Sequence, residues 1–358
     1  MKRLVFVWMA LVVAVIACAK STPATQMFKR LKKVQKHGIM FAHQDDPVYG
    51  TTWKWDKGRS DVRDVCGDYP AIMGFDLGKL ELDSKENIDG VPFDRMRQEI
   101  IDQHRRGGFS TVSWHLWNPV TGGNSWDIEG RAVAAVLPGG AQHAKLNAWL
   151  DRMASFLLSL TDDRGRRVPV IFRPWHEMHG GWFWWGCKSC TPDEYKQLFR
   201  YTRQYLDQKG VDNALWCYSP GADPNESEER FMTWYPGDDC VELIGVDIYC
   251  NADTQGFIDR MKNELQVMAS IAKKHKKLFA VAETGYRNTP QDDWFSEVLL
   301  PSLLDTPPLY VLLWRNAWDQ PEENFGPAPE KSCASDFRMF FYTHPRMLFA
   351  KDIEKLKN

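Results

Sequence analysis

The sequence predicts a (β/α)8 barrel, a single catalytic domain over residues 27–358. Three observations predict it. Short apolar, β-branched runs recur along the chain, alternating with stretches whose apolar residues fall at helical spacing. The runs lack the in–out alternation of a half-exposed strand, as expected for parallel strands covered by helices. Each run gives way to polar or aromatic residues at its C-terminal end, where barrels of this kind build their sites. No proline- or serine-rich linker interrupts the series, so no appended module is expected. A doubly wound open sheet is the competing architecture.

Taken in order, the chain opens with Lys2 and Arg3 before an apolar run from Leu4 to Ala17, the layout of a secretory signal and too short for a comfortable membrane span. Val15-Ile16-Ala17-Cys18 resembles the bacterial lipoprotein signal, so residues 1–18 are expected to be a leader ending at a lipidated Cys18. Residues 19–26, rich in Ser, Thr and Pro, read as a tether. Met27, Leu31 and Val34 then make a helical stripe closed by Gly38. Eight strands are predicted: 38–43, 71–76, 110–116, 168–173, 214–219, 243–249, 278–283 and 309–314.

The helices between them are legible by their stripes. Phe93, Met96, Ile100 and Ile101 precede Gly107-Gly108, and Leu146, Trp149, Leu150, Met153, Phe156, Leu157 and Leu160 form a longer face. Thr191-Pro192-Asp193-Glu194 carries both a capping-box pair and a proline at the first helical position, ahead of Tyr195, Leu198, Phe199 and Leu206. Phe257, Met261, Leu265, Met268 and Ile271 follow the sixth strand; Trp294, Phe295, Val298 and Leu299 follow the seventh.

Composition excludes some partners. The 45 basic and 47 acidic side chains nearly balance and form no block of like charge, so no nucleic-acid partner is expected. Sixteen tryptophans, many in polar, glycine-containing stretches, suit either stacking on sugar rings or structural packing, and Trp184 and Trp185 are open to both readings. Without Cys18, seven cysteines remain (Cys66, Cys187, Cys190, Cys217, Cys240, Cys250, Cys333); Cys187 and Cys190 have the spacing of a zinc half-site, but no second pair follows. A loop disulfide or free thiols are expected there, and no metal.

Two stretches carry the chemistry. Residues 168–186, VPVIFRPWHEMHGGWFWWG, run from a strand into His176 and Glu177 and then a loop of glycines and tryptophans. Residues 278–286, LFAVAETGY, repeat the plan around Glu283. Two glutamates at the ends of core strands match what acid/base chemistry on a sugar requires. His176 and His179 are three apart rather than four, and Gly180-Gly181 follow, so the helical zinc-protease arrangement is absent. Strand ends elsewhere bear His43, Asp45, Asp46, Asp76, His115, Trp117, Asp247, Tyr249, Trp314, Arg315 and Asn316. Arg173 is expected to orient other groups; Asp45 and Asp46 are expected to cap the first loop.

PWHEMHGGWFWWG and AETG, with SWHLWNP at the third strand, GGNSWD after it and DIY at the sixth, resemble glycoside hydrolase family 26, a family dominated by β-mannanases. The resemblance implies that Glu177 is the acid/base and Glu283 the nucleophile of a retaining double displacement. It also implies that His176 positions Glu177, and that His115, Trp126, Trp182, Tyr249 and Trp314 line the sugar subsites. Retention requires carboxyl groups about 5–5.5 Å apart, with Glu177 protonated while Glu283 is charged. Tyrosine and arginine donors are expected at Glu283, and an aromatic loop desolvating Glu177. The resulting expectation is a monomeric enzyme without cofactor that cleaves β-1,4-mannosidic bonds in mannan, glucomannan or galactomannan, internally or by releasing mannobiose. It is expected to be exported and lipid-anchored to the bacterial outer membrane, on the surface or periplasmic face. Mixed-linkage β-glucan or β-1,3-xylan are alternative substrates, and a non-catalytic surface glycan-binding protein is an alternative from another class.

Overall fold

The computed structural model describes residues 21–223 and 226–356, so the leader and Cys18 lie outside the described residues. The eight apolar runs become parallel strands β1 to β8: Ile39–Gln44, Ile72–Asp76, Phe109–Ser113, Val170–Arg173, Ala214–Tyr218, Leu243–Cys250, Leu278–Tyr286 and Tyr310–Leu313. Each pairs with the next, and β1 pairs with both β2 and β8, which closes the barrel and removes the open-sheet alternative. A two-residue strand, Met347–Leu348, adds to the start of β1.

Strand alternation sorts the side chains into two cores. Met40, Ala42, Ile72, Ile171, Leu215, Cys217, Leu243, Ala280, Tyr310 and Leu312 belong to the inner one. Phe41, Phe172, Val246, Val281 and Val311 face outward against Met96, Leu150, Leu198 and Leu265 of the surrounding helices. Continuing the inward rows toward the C-terminal ends brings Asp76, Arg173 and Asp247 into the mouth. The seventh strand needs a correction of register to do the same. Val246 pairs with Val281 but Asp247 pairs with Glu283, so Ala282 is an extra residue. That bulge turns Glu283 away from the outward row of Val281 and aims it inward beside Asp247.

The predicted helices form at the expected places, including Phe93–Arg106, His143–Ser159, Pro192–Gln208 and Thr254–His275. At Thr191 both halves of the capping box are made, the hydroxyl accepting from Glu194 N and the Glu194 carboxylate accepting from Thr191 N. One boundary is corrected. The first helix spans Pro23–Val34, with the Thr22 hydroxyl accepting from Thr25 N at 3.1 Å, so residues 23–26 of the expected tether belong to the barrel domain. Thr-Pro is a helix start, and a polar composition concealed it. Met27, Leu31 and Val34 of this helix join Ile353 of the C-terminal helix Ala350–Lys355 beneath the strands' N-terminal ends. Cys187 and Cys190 carry free thiols, as do the other five cysteines described, and they donate to His179 O and Trp185 O.

Candidate active site

Arg173, at the end of β4, organises the floor of the mouth. Its Nη1 donates to Asp247 Oδ2 at 2.7 Å and to Ser219 Oγ at 3.1 Å, and its Nη2 donates to Glu283 Oε1. Arg173 is 3% exposed; burial works against its charge, but the Asp247 and Glu283 carboxylates hold it protonated. The Tyr249 hydroxyl donates to the other Glu283 oxygen at 2.8 Å. Glu283 therefore has one donor on each oxygen, the arginine and tyrosine expected from the sequence.

Glu177 is delivered by the loop beyond β4. Trp175 and Glu177 both take left-handed backbone, φ 58° and 55°, and Glu177 N donates to Ser219 O at 2.8 Å, pinning the residue to the end of β5. Gly180 lets the loop fold back: a Cβ there would lie 2.1 Å from the Trp182 ring. Trp182, half-exposed, thereby brings its indole N–H to Glu177 Oε2 at 2.8 Å. Burial, then the neighbouring Glu283 charge, push the Glu177 carboxyl up to about 7 against that hydrogen bond. One carboxylate oxygen from each of Glu177, Asp247 and Glu283 lies within 4.8 Å of the other two. This trio has the donor set of a cation site, and two of its members, Asp247 and Glu283, pair with the Arg173 guanidinium.

A histidine pair forms the opposite wall. His115 Nδ1 donates to Asp76 Oδ2 at 2.7 Å, and the Nε2 atoms of His115 and His176 are 3.1 Å apart. Burial opposes a charge on His115, but Asp76 raises it above the ordinary range; burial, then Arg173, drive His176 well below. Trp126, half-exposed, stacks on His115 at 5.6 Å and 17°, and Trp314 meets the same ring edge-on at 6.2 Å. The structure thus brings all eight sequence-predicted site residues into one contiguous cluster.

Other expectations resolve. Trp184 and Trp185 are fully buried and donate to Leu116 O and His176 O, so both are loop packing rather than sugar platforms. Asp45 accepts from Tyr49, and Asp46 contacts His43 and accepts from Val62 N, both tying down the first loop. Sequence reasoning missed Phe183, which stacks on Trp185 at 4.5 Å and presents its edge to His115 and His176 at 5.3 Å each. Nothing in WFWW separates it from its neighbours. It also gave Ser219 no role, although that residue ends the predicted fifth strand, and strand ends were the signal followed elsewhere.

A site with one carboxyl raised to about 7 and a second, ion-paired one close beside it, under exposed aromatic rings, can protonate one side of an acetal while attacking the other. Comparison with known proteins agrees with this chemistry. Residues 16–298 match the family model described as glycosyl hydrolase family 26. The chain belongs to this family. The matched span reaches from before the first helix through β7, and includes every predicted site residue except Trp314. Among relatives, a mannan endo-1,4-β-mannosidase of Bifidobacterium adolescentis is 31% identical over 315 residues, which is 81% of this chain and 31% of that protein. One from Bacillus subtilis is 32% identical over 235 residues, 63% of this chain and 60% of that protein. The chain therefore spans about a third to three fifths of the length of these curated relatives. A solved family 26 β-mannanase of Bacteroides ovatus is 43% identical, superposes with a TM-score of 0.91, and is matched over 94% of this chain and 98% of its own.

Proposed function

We propose that this family 26 protein is a retaining β-1,4-mannan hydrolase in which Glu177 is the acid/base and Glu283 the nucleophile. The observation that carries the reading is the close opposition of the two carboxyls, within 4.8 Å between oxygens, with unequal surroundings. An inverting enzyme needs a wider gap, about 6.5–9.5 Å, to admit water between them. Glu177, whose carboxyl lies near 7, gives its proton to the glycosidic oxygen as that bond breaks. Glu283 attacks the anomeric carbon from the other face and forms a glycosyl–enzyme ester. Glu177, now a carboxylate, takes a proton from water, which attacks the same carbon, releases Glu283 and restores the starting protonation. Arg173 and Tyr249 bind the Glu283 charge before attack, and Trp126, Trp182, Trp314 and His115 provide faces and a polar edge for sugar rings.

The sugar assignment is supported by the relatives named as mannan endo-1,4-β-mannosidases and by the Bacteroides ovatus β-mannanase. Within this reading the enzyme acts as a monomer on mannan, glucomannan or galactomannan, either internally or by releasing mannobiose, and a lipid on Cys18 holds it at the outer membrane. Incubation with pure polysaccharides, following the anomer released by NMR, tests the core: β-configured mannose ends are expected first. An α product, or faster cleavage of mixed-linkage β-glucan or β-1,3-xylan than of mannan, would replace the reading. Fractionation of cells carrying Cys18→Ala tests the anchor, with release from the membrane fraction expected.

A further inference from the structure

The loop after β8 returns to the barrel and leans on the site from beyond the span matched to the family. Its turn is fastened at several points. Phe325 N donates to Arg315 O at 3.2 Å, Gly326 N to Asn316 Oδ1 at 2.8 Å, and Lys331 Nζ to Asn324 O and Gly326 O at 3.1 and 3.0 Å. These bonds fasten the backbone at Phe325 and on either side of it. Its ring is 5% exposed and meets the Tyr249 ring edge-on, with centroids 5.6 Å apart. Beneath it lies Gly285 of β7, with φ 153°, where a Cβ would approach Phe325 Cδ1 to 2.6 Å. A glycine inside a strand marks close approach by another group, and the group is this ring.

Tyr249 needs such a wall. It is only partly buried, and its hydroxyl must stay 2.8 Å from Glu283 Oε2. We propose that Phe325, seated on Gly285, is a positioning residue that fixes the Tyr249 ring so that its hydroxyl donates to Glu283. It acts through Tyr249. The inference rests on the reading of Glu283 as nucleophile.

The test compares wild type, Phe325→Ala, Phe325→Leu, Tyr249→Phe and the double variant Tyr249→Phe/Phe325→Ala on mannan, with thermal melts to verify folding. Phe325→Ala is expected to lower kcat about tenfold or more with KM changed less than about threefold, as misplacement of a group that helps only the reacting state should. Phe325→Leu, which keeps an apolar filler, should show the same changes in smaller degree and serves if the alanine variant does not fold. In the Tyr249→Phe background the Phe325 change should add almost nothing. Folded Phe325 variants with wild-type kcat, or losses that simply multiply in the double variant, overturn the proposal. A wild-type protein that cleaves no glycan overturns the functional reading instead, so the two failures are distinguishable.

Discussion

Glu283 and Glu177 differ by what surrounds them, and the difference has measurable consequences residue by residue. Removing the proposed nucleophile with Glu283→Ala should cut mannan turnover on the order of a thousandfold or more, as measured by reducing-end release. Glu177→Ala should cost about 10²–10⁴-fold on mannan, but far less on an activated aryl mannoside whose leaving group needs no proton. With the Glu177 carboxyl near 7, activity should decline on the alkaline side from about that pH as the acid is lost. The Trp182 indole N–H stabilises the ionised form, so Trp182→Phe should raise the Glu177 pKa and carry the alkaline limb of kcat/KM upward; a limb that stays put or moves down contradicts the assignment. Both glutamates, and most of the residues around them, were legible because each lies at or just past the end of an apolar strand. Phe183 and Phe325 were not, since an aromatic residue's partner is decided by loop geometry that carries no period.

Individual elements show why some parts of the fold are readable and others are not. Strands buried on both faces leave a continuous apolar signature, and the Thr191 cap is written in adjacent residues, so both were found from the sequence. Thr191→Ala should cost about 1 kcal/mol in denaturant unfolding and leave kcat unchanged. The bulge at Ala282 was invisible, because a one-residue slip against a partner strand has no local mark, yet it decides which way Glu283 points. The loops of the mouth are joined by a buried pair that sequence could not match: Arg315, after β8, meets Asp89, after β2, at 3.0 Å, and both side chains are 8% exposed. Arg315→Ala strands that carboxylate inside the protein and should lower stability by about 3–5 kcal/mol, seen as a depressed melting temperature.

The whole molecule should respond to alkali through buried acids other than Glu177 and Glu283. Glu264 is 1% exposed, and burial, with Glu226 adding to it, raises its carboxyl from 4.5 to about 8; Glu81 is raised to about 7, chiefly by burial. In each case the folded protein holds the proton more tightly than the unfolded chain. The associated stability is fully present below about pH 4.5 and is lost as the pH rises through 7 and 8. Melting temperature should therefore fall across that window, and Glu264→Gln should flatten the fall; a slope unchanged by the substitution would show that Glu264 is not its source. The first and last helices both pack under the strands' N-terminal ends, so the polypeptide is joined to whatever precedes Ser21 on the side opposite the aromatic cleft. A molecule moored by that side would rest on its base with its opening turned toward the surroundings, free to meet a long insoluble polymer without the mooring in the way.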